Sequence, residues 1–174
     1  MLCTFVAAEE VLDPLVPDLL DDQLETLAQQ ADELIFYNGY ETQFDRMAAF
    51  AVVRLRRKHP EKKIVNLLVN QSDKPHFGSR LKVFFDEIVI LPESECRRIT
   101  GIYRRDMLAS RDEWMVDQAD VVVACMTRME GQAIFPFRRA REAEKSRGLR
   151  IFNLLEMPDE TPPVRRRRKP PFDD

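Results

Sequence analysis

The sequence predicts an α/β domain of three layers, a parallel sheet of about six strands with helices on both faces. Short apolar runs of strand length alternate with amphipathic stretches of helix length across residues 1–156, which is the pattern of a layered α/β domain. Two of the runs, "KKIVNLLV" and "DVVVACM", are apolar at consecutive positions, as strands buried on both faces of a parallel sheet are. A length of 174 residues suits one domain with a proper core.

The elements follow in order. "LCTFVAA" (2–8) reads as the first strand and "LDDQLETLAQQA" (20–31) as a helix with Leu20, Leu24 and Leu27 on one face. "DELIFYNG" (32–39) is the second strand, with Gly39 closing it in a tight turn. Residues 42–58 form the clearest helix, because Phe44, Met47, Ala48, Ala51, Val52 and Leu55 recur on one face. Thr42 and Asp45 have capping-box spacing at its start, and Arg56, Arg57 and Lys58 suit the dipole at its end. Strands follow at 62–69 and 86–92, with a helical turn or two expected over 79–85. A helix is expected over 101–118 with a break near Ser110, where Ser110 and Glu113 again have capping spacing. The fifth strand is 120–126, a helix covers 132–148 with Pro136 in its first turn and Gly148 at its end, and the sixth strand is 149–155. These elements describe a Rossmann-like parallel sheet over residues 1–156. The remaining 157–174 read as a proline-rich basic tail expected to be disordered.

Composition excludes several classes. The tail residues 162–174 set five cations against Asp173 and Asp174, a charge of +3, so the rest of the chain carries −6 of the net −3. An acidic body with a short basic run argues against nucleic acid as a partner, because a run of cations alone is usually a solvated segment. No apolar stretch approaches the roughly 20 residues of a membrane span. The start MLCTFVAAEE has no basic n-region and reads as no signal peptide, so a cytoplasmic location is expected. Cys3, Cys96 and Cys125 are expected to be reduced and mostly buried. His59 and His76 have no cysteine or second histidine nearby, so no metal is expected.

In parallel sheets of this kind ligands bind beyond the C-terminal strand ends, at the point where strand order reverses. That places the expected site at Ala7–Glu10, Gly39–Asp45, Asn70–Asp73 and Thr127–Gln132. The candidate ligand-binding residues are Gly39, Asp45, Arg111, Glu130, Gly131 and Gln132. Each has a plainer reading. Asp45 is either a ribose contact or the N3 member of a helix cap. Arg111 is either an anion contact or a solvated first-turn arginine. Gly131 either brings its loop close to a ligand or marks a turn. Trp114 and Met115 suit the core or a face between two copies of the chain, as do Phe135 and Phe137. Asp73 and Glu130 could act as an acid/base pair only where the fold brings them together. No Ser/His/Asp or Cys/His set is visible, and no particular cofactor is indicated.

Gly39-Tyr40-Glu41-Thr42-Gln43-Phe44-Asp45 resembles the "GxxxGxD" turn of the YpsA-like family of the SLOG superfamily, and "RDEWMVDQADVVVA" (111–124) resembles that family's "RNxYMVDxSDxxIA". "EGQAIFPFRRA" lies where the family carries "GGTxxxxxxA", and "CTFVAAE" where it has "CxFTGHR". The resemblance spans residues 1 to about 155. It implies a Rossmann-like fold and a nucleotide-like small molecule as partner. The loops depart from the pattern: Gln43 replaces the second glycine, Glu130-Gly131-Gln132 replaces Gly-Gly-Thr, Ala7-Ala8-Glu9 replaces Gly-His-Arg, and Asp112 replaces Asn. A glutamate used as nucleophile by deoxyribosyltransferase-like relatives of this architecture falls on Phe135, which cannot attack. Carboxylates have replaced groups that attract anions, and a carboxylate about 4 Å from a phosphate costs about 1 kcal/mol in water and several near a protein surface. The expected function is therefore a diverged domain of this kind that binds a nucleotide-like or other polar small ligand at the C-terminal strand edge, in a sensory or regulatory role, with a phosphate ligand of the usual kind disfavoured. The alternative is a structural or interaction domain that has lost the ligand.

Overall fold

The computed structural model describes residues 1–8, 10–11, 13–70, 80–91 and 104–157, with 104–109 described in backbone alone. Glu9, Asp73, His76, Ser79, Cys96 and the tail beyond residue 157 lie outside the described residues.

Six parallel strands form one sheet: β1 (Leu2–Ala7), β2 (Glu33–Asn38), β3 (Lys63–Asn70), β4 (Glu87–Ile90), β5 (Val121–Cys125) and β6 (Arg150–Asn153). Among the described residues four helices accompany them: α1 (Val16–Gln30), α2 (Gln43–Lys58), α3 (Arg104–Gln118) and α4 (Ile134–Arg147). The order across the sheet is β4-β3-β2-β1-β5-β6. The chain thus winds outward from β1 to β4, returns across the sheet through α3, and winds outward the other way. The reversal lies between β1 and β5, the position where such sheets open a crevice at their C-terminal edge.

Alternation along the central strands explains the three layers. Cys3 and Phe5 of β1 and Val121, Val123 and Cys125 of β5 point to the side of α1 and α2, where they join the leucines at 20, 24 and 27. Val6, Val122 and Ala124 point the other way, onto Val116 of α3 and Phe137 and Ala140 of α4. The three α1 leucines are fully buried. Burying each stabilises the fold by about 1.5–3 kcal/mol before the entropy of ordering is set against it.

The element boundaries moved in three informative places. Helix α1 starts at Val16 rather than at residue 20, because Pro17 falls in its first turn, where a missing N–H interrupts no helical bond. Helix α3 runs through Ser110 without a break. The Ser110/Glu113 spacing is a local signal, and the burial of Arg111, Met115 and Val116 along a continuous helix overrides it. Strand β6 stops at Asn153 because that side chain turns to pair with the loop after β5: it accepts from Met126 N at 2.8 Å and donates to Met126 O at 2.8 Å. The expected helical turn before β4 is a short 3-10 segment, Leu81–Val83.

Cys3 and Cys125 are free and buried, and burial pushes their thiols up to about 12 and about 11 respectively, so both stay protonated and inert near neutral pH. No helix among the described residues is long and apolar enough to cross a membrane, and no group of three metal-ligating side chains occurs among them.

Candidate functional site

At the β1/β5 reversal the C-terminal edge of the sheet opens into a cavity of about 90 Å³. Its polar wall comes from Glu41 and Asp45 at the start of α2, Arg111 and Asp112 in α3, and Gln132 ahead of α4. Val6, Ala133 and Pro136 supply the apolar side. Three of the four expected loops reach this edge. Most of the fourth, 71–73, lies outside the described residues.

The turn between β2 and α2 is built by its own side chains. Asn38 is buried; its Oδ1 accepts from Tyr40 N at 2.7 Å, and its amide donates to Asp45 O at 2.8 Å. That clamp holds Tyr40 at a φ of 54°, a left-handed conformation uncommon for a side chain of this size. The Tyr40 ring sits edge-on to Phe85 with centroids 5.3 Å apart, a contact that offsets part of the strain. The left-handed residue of this turn is therefore Tyr40, and Gly39 beside it has no positive φ. Gly39 serves another purpose. A Cβ added there would collide with the Arg111 guanidinium, whose NH1 donates to Gly39 O at 3.2 Å. The glycine clears a seat for an arginine 72 residues away.

Arg111 corrects a second expectation. It lies mid-helix and is only 3% exposed, not solvated in a first turn. Its Nε and NH2 both donate to Asp112 Oδ1, at 2.9 and 2.8 Å. Burial works against its charge, but Asp112, Asp45 and Glu41 outweigh that, so the guanidinium is held charged above its ordinary range. Asp112 responds oppositely. Its side chain keeps about a quarter of its surface, and that surface faces the cavity. Desolvation in this confined place pushes its carboxyl up to about 6, against the pull of Arg111 and helped by the like charges of Asp45 and Glu41.

Asp45 is committed to the helix. Its Oδ2 accepts from Glu41 N and Thr42 N, both at 3.0 Å, and Thr42 Oγ1 accepts from Asp45 N at 3.0 Å, so the capping box is complete. An incoming phosphate would seek the amides at a helix start, and here a protein carboxylate already accepts from Glu41 N and Thr42 N. The other helix start at the cavity offers an anion fewer donors than a regular one, since Phe135 N already donates to Gln132 O at 3.2 Å. Helix α4 has no side-chain cap, and Pro136 removes one of its first-turn N–H donors. Gln43, standing at the second glycine position of the resembled turn, instead accepts from Val11 N at 3.4 Å and ties the β1–α1 loop to α2.

The remaining candidates divide. Gln132 lines the cavity, whereas Glu130 and Gly131 lie on the exposed side of the loop, outside the lining. Glu130 has Arg128 at 3.8 Å, a loose surface pair. Gly131 has a φ of 72°, and a Cβ there would meet nothing within 4 Å. Its glycine answers a backbone requirement, not a close approach. Met115 and Phe137 are core residues, Trp114 is partly buried and stacked on Tyr37 with centroids 5.6 Å apart, and Phe135 is half exposed. The sequence reading did not place Asp112 among the site residues. The adjacent Arg-Asp pair in 111–112 was the available signal, but it became meaningful only once Arg111 was seen to be buried.

Three carboxylates and one guanidinium leave the cavity wall with two net negative charges when all are ionised. No protein-family model matches the chain, and no curated protein matches it.

Proposed function

We propose that this chain is a small-molecule-binding domain of sensory or regulatory kind, a diverged YpsA-like domain in the SLOG superfamily. Its cavity takes the hydroxyl- or amine-bearing part of a nucleoside-like ligand and gives no grip to a phosphate. The observation carrying this reading is the Asp45 carboxylate at the α2 start, with Asp112 facing the cavity and Arg111, the only cation of the wall among the described residues, tied down behind it. What remains to meet a ligand is acceptor oxygens and the Gln132 amide beside an apolar surface, which suits sugar hydroxyls or amino groups. The charged groups hold one another in place, an arrangement that favours recognition over turnover.

A second reading has its own support. About 90 Å³ holds roughly three water molecules, whereas sites for whole ligands run from about 300 to 1,000 Å³. A domain that keeps the fold for structural or interaction purposes would have a cavity of this size. Thermal denaturation with adenosine, AMP and ADP-ribose at millimolar concentration separates the two. A ligand at 100 times its dissociation constant adds about 2.7 kcal/mol, a rise of about 5–10 °C for a chain of this length. A shift with the nucleoside supports the binding domain; no shift with any of the three supports the structural one.

A further inference from the structure

We infer that Asp112 sets the charge of the ligand this cavity admits: anchored by Arg111, it turns phosphate-bearing molecules away, and neutralising it opens the cavity to them. The inference rests on the reading above that the cavity is a ligand site, and adds which residue decides its selectivity.

The geometry separates Asp112 from the other acids. Asp45 is buried, with Oδ2 committed to two backbone amides, so its role is fixed by the helix it caps. Glu41 is exposed at the rim, where solvent screens it. Asp112 alone combines a confined position, an exposed surface turned to the cavity, and a direct hold on the arginine. Both bonds from Arg111 converge on Oδ1 of Asp112. The guanidinium cannot swing toward a ligand while Asp112 holds Nε and NH2 and Gly39 O holds NH1.

The charged groups facing Asp112 are few. Arg111 lies beside it on α3, and Glu41 and Asp45 face it from the start of α2. Among the described residues, the β1 end and the α4 side of the cavity, through Val6, Gln132, Ala133 and Pro136, bring no charge. Neutralising Asp112 therefore halves the net charge of the wall, from two negatives to one, and weakens the competitor for Arg111. Asparagine at this position keeps an oxygen able to accept from Nε and NH2, so it removes the charge and preserves the anchoring bonds. A proton does the same reversibly. Desolvation, the largest influence on this carboxyl, places its titration at about 6, so mild acid is enough.

The test uses the full chain and two probes, adenosine and ADP-ribose, whose diphosphate charges do not change between pH 5 and 8. Affinities are measured by calorimetry for the native protein at pH 7.5 and 5.5, and for Asp112→Asn at pH 7.5. The expected result is that the native protein at pH 7.5 prefers adenosine by about tenfold or more. Asp112→Asn, and acid acting on the native protein, should each reduce that preference severalfold. Equal affinity of the native protein for the two probes at pH 7.5 overturns the inference and leaves the cavity a ligand site. A preference that neither acid nor Asp112→Asn alters overturns the role of Asp112. No binding of either probe by either protein removes the ligand-site reading and this inference with it. The acid arm needs no variant, so a misfolded Asp112→Asn would not shelter the inference.

Discussion

Asp112→Asn should stabilise the protein above pH 6 and leave its stability unchanged below pH 4. The folded chain holds this carboxyl at about 6, against about 4 in an unfolded chain. Between those values the native state binds the proton and the unfolded state does not, so native stability falls as pH rises through this window and is flat on either side. A separation of about two pH units at 1.36 kcal/mol each gives about 3 kcal/mol. The quarter of the side chain still in contact with water reduces the expected effect to about 2 kcal/mol. Asparagine retains an acceptor for the two Arg111 bonds and never ionises, so it escapes the penalty. Urea unfolding of both proteins, followed by circular dichroism at half-unit steps from pH 4 to 8, gives the difference between them and cancels the titration of every other group. The difference should rise from near zero at pH 4 to about 2 kcal/mol at pH 7. A difference that stays constant with pH, or a native protein more stable than the variant at pH 7, would refute the reasoning, because the Arg111 pairing would then outweigh the desolvation of Asp112.

Two glycine substitutions should give opposite readings at the same sheet edge. Gly39→Ala forces the Arg111 guanidinium from its seat and should cost about 1–3 kcal/mol, with the double variant Gly39→Ala/Arg111→Ala no less stable than Arg111→Ala alone; full additivity in denaturant unfolding would show that the two residues do not share one contact. Gly131→Ala has open space for its methyl but a left-handed backbone, so it should cost about 1 kcal/mol and leave adenosine-induced thermal shifts as they are; loss of the shift would bring that loop into the site.

Much of the fold was legible because its signals are local. The i, i+3, i+4 spacing of Phe44, Ala48, Ala51, Val52 and Leu55 gives a helix in any surrounding, and the Thr42/Asp45 cap is complete within four residues. The apolar run Val121–Cys125 marks a strand covered on both faces, and all five of its residues are buried. Even the place of the cavity follows from a general property of parallel sheets, once six strands and their order are known. The left-handed Gly148 at the end of α4 could be read in the same way.

What tertiary structure alone decided are the meanings of residues whose partners are distant. Gly39 carries the same letter whether it turns a strand or admits an arginine, and only the approach of Arg111 across 72 residues distinguishes the two. Arg111 itself looks like any helical arginine until three carboxylates from two segments surround it. Asp112 takes its raised titration from a confinement that no neighbouring letter records. Periodicity and capping are properties of a few consecutive residues and survive in one dimension. Desolvation and charge pairing depend on which atoms share a volume, and that is settled only when the sheet brings β1, α2, α3 and the loop after β5 to one edge.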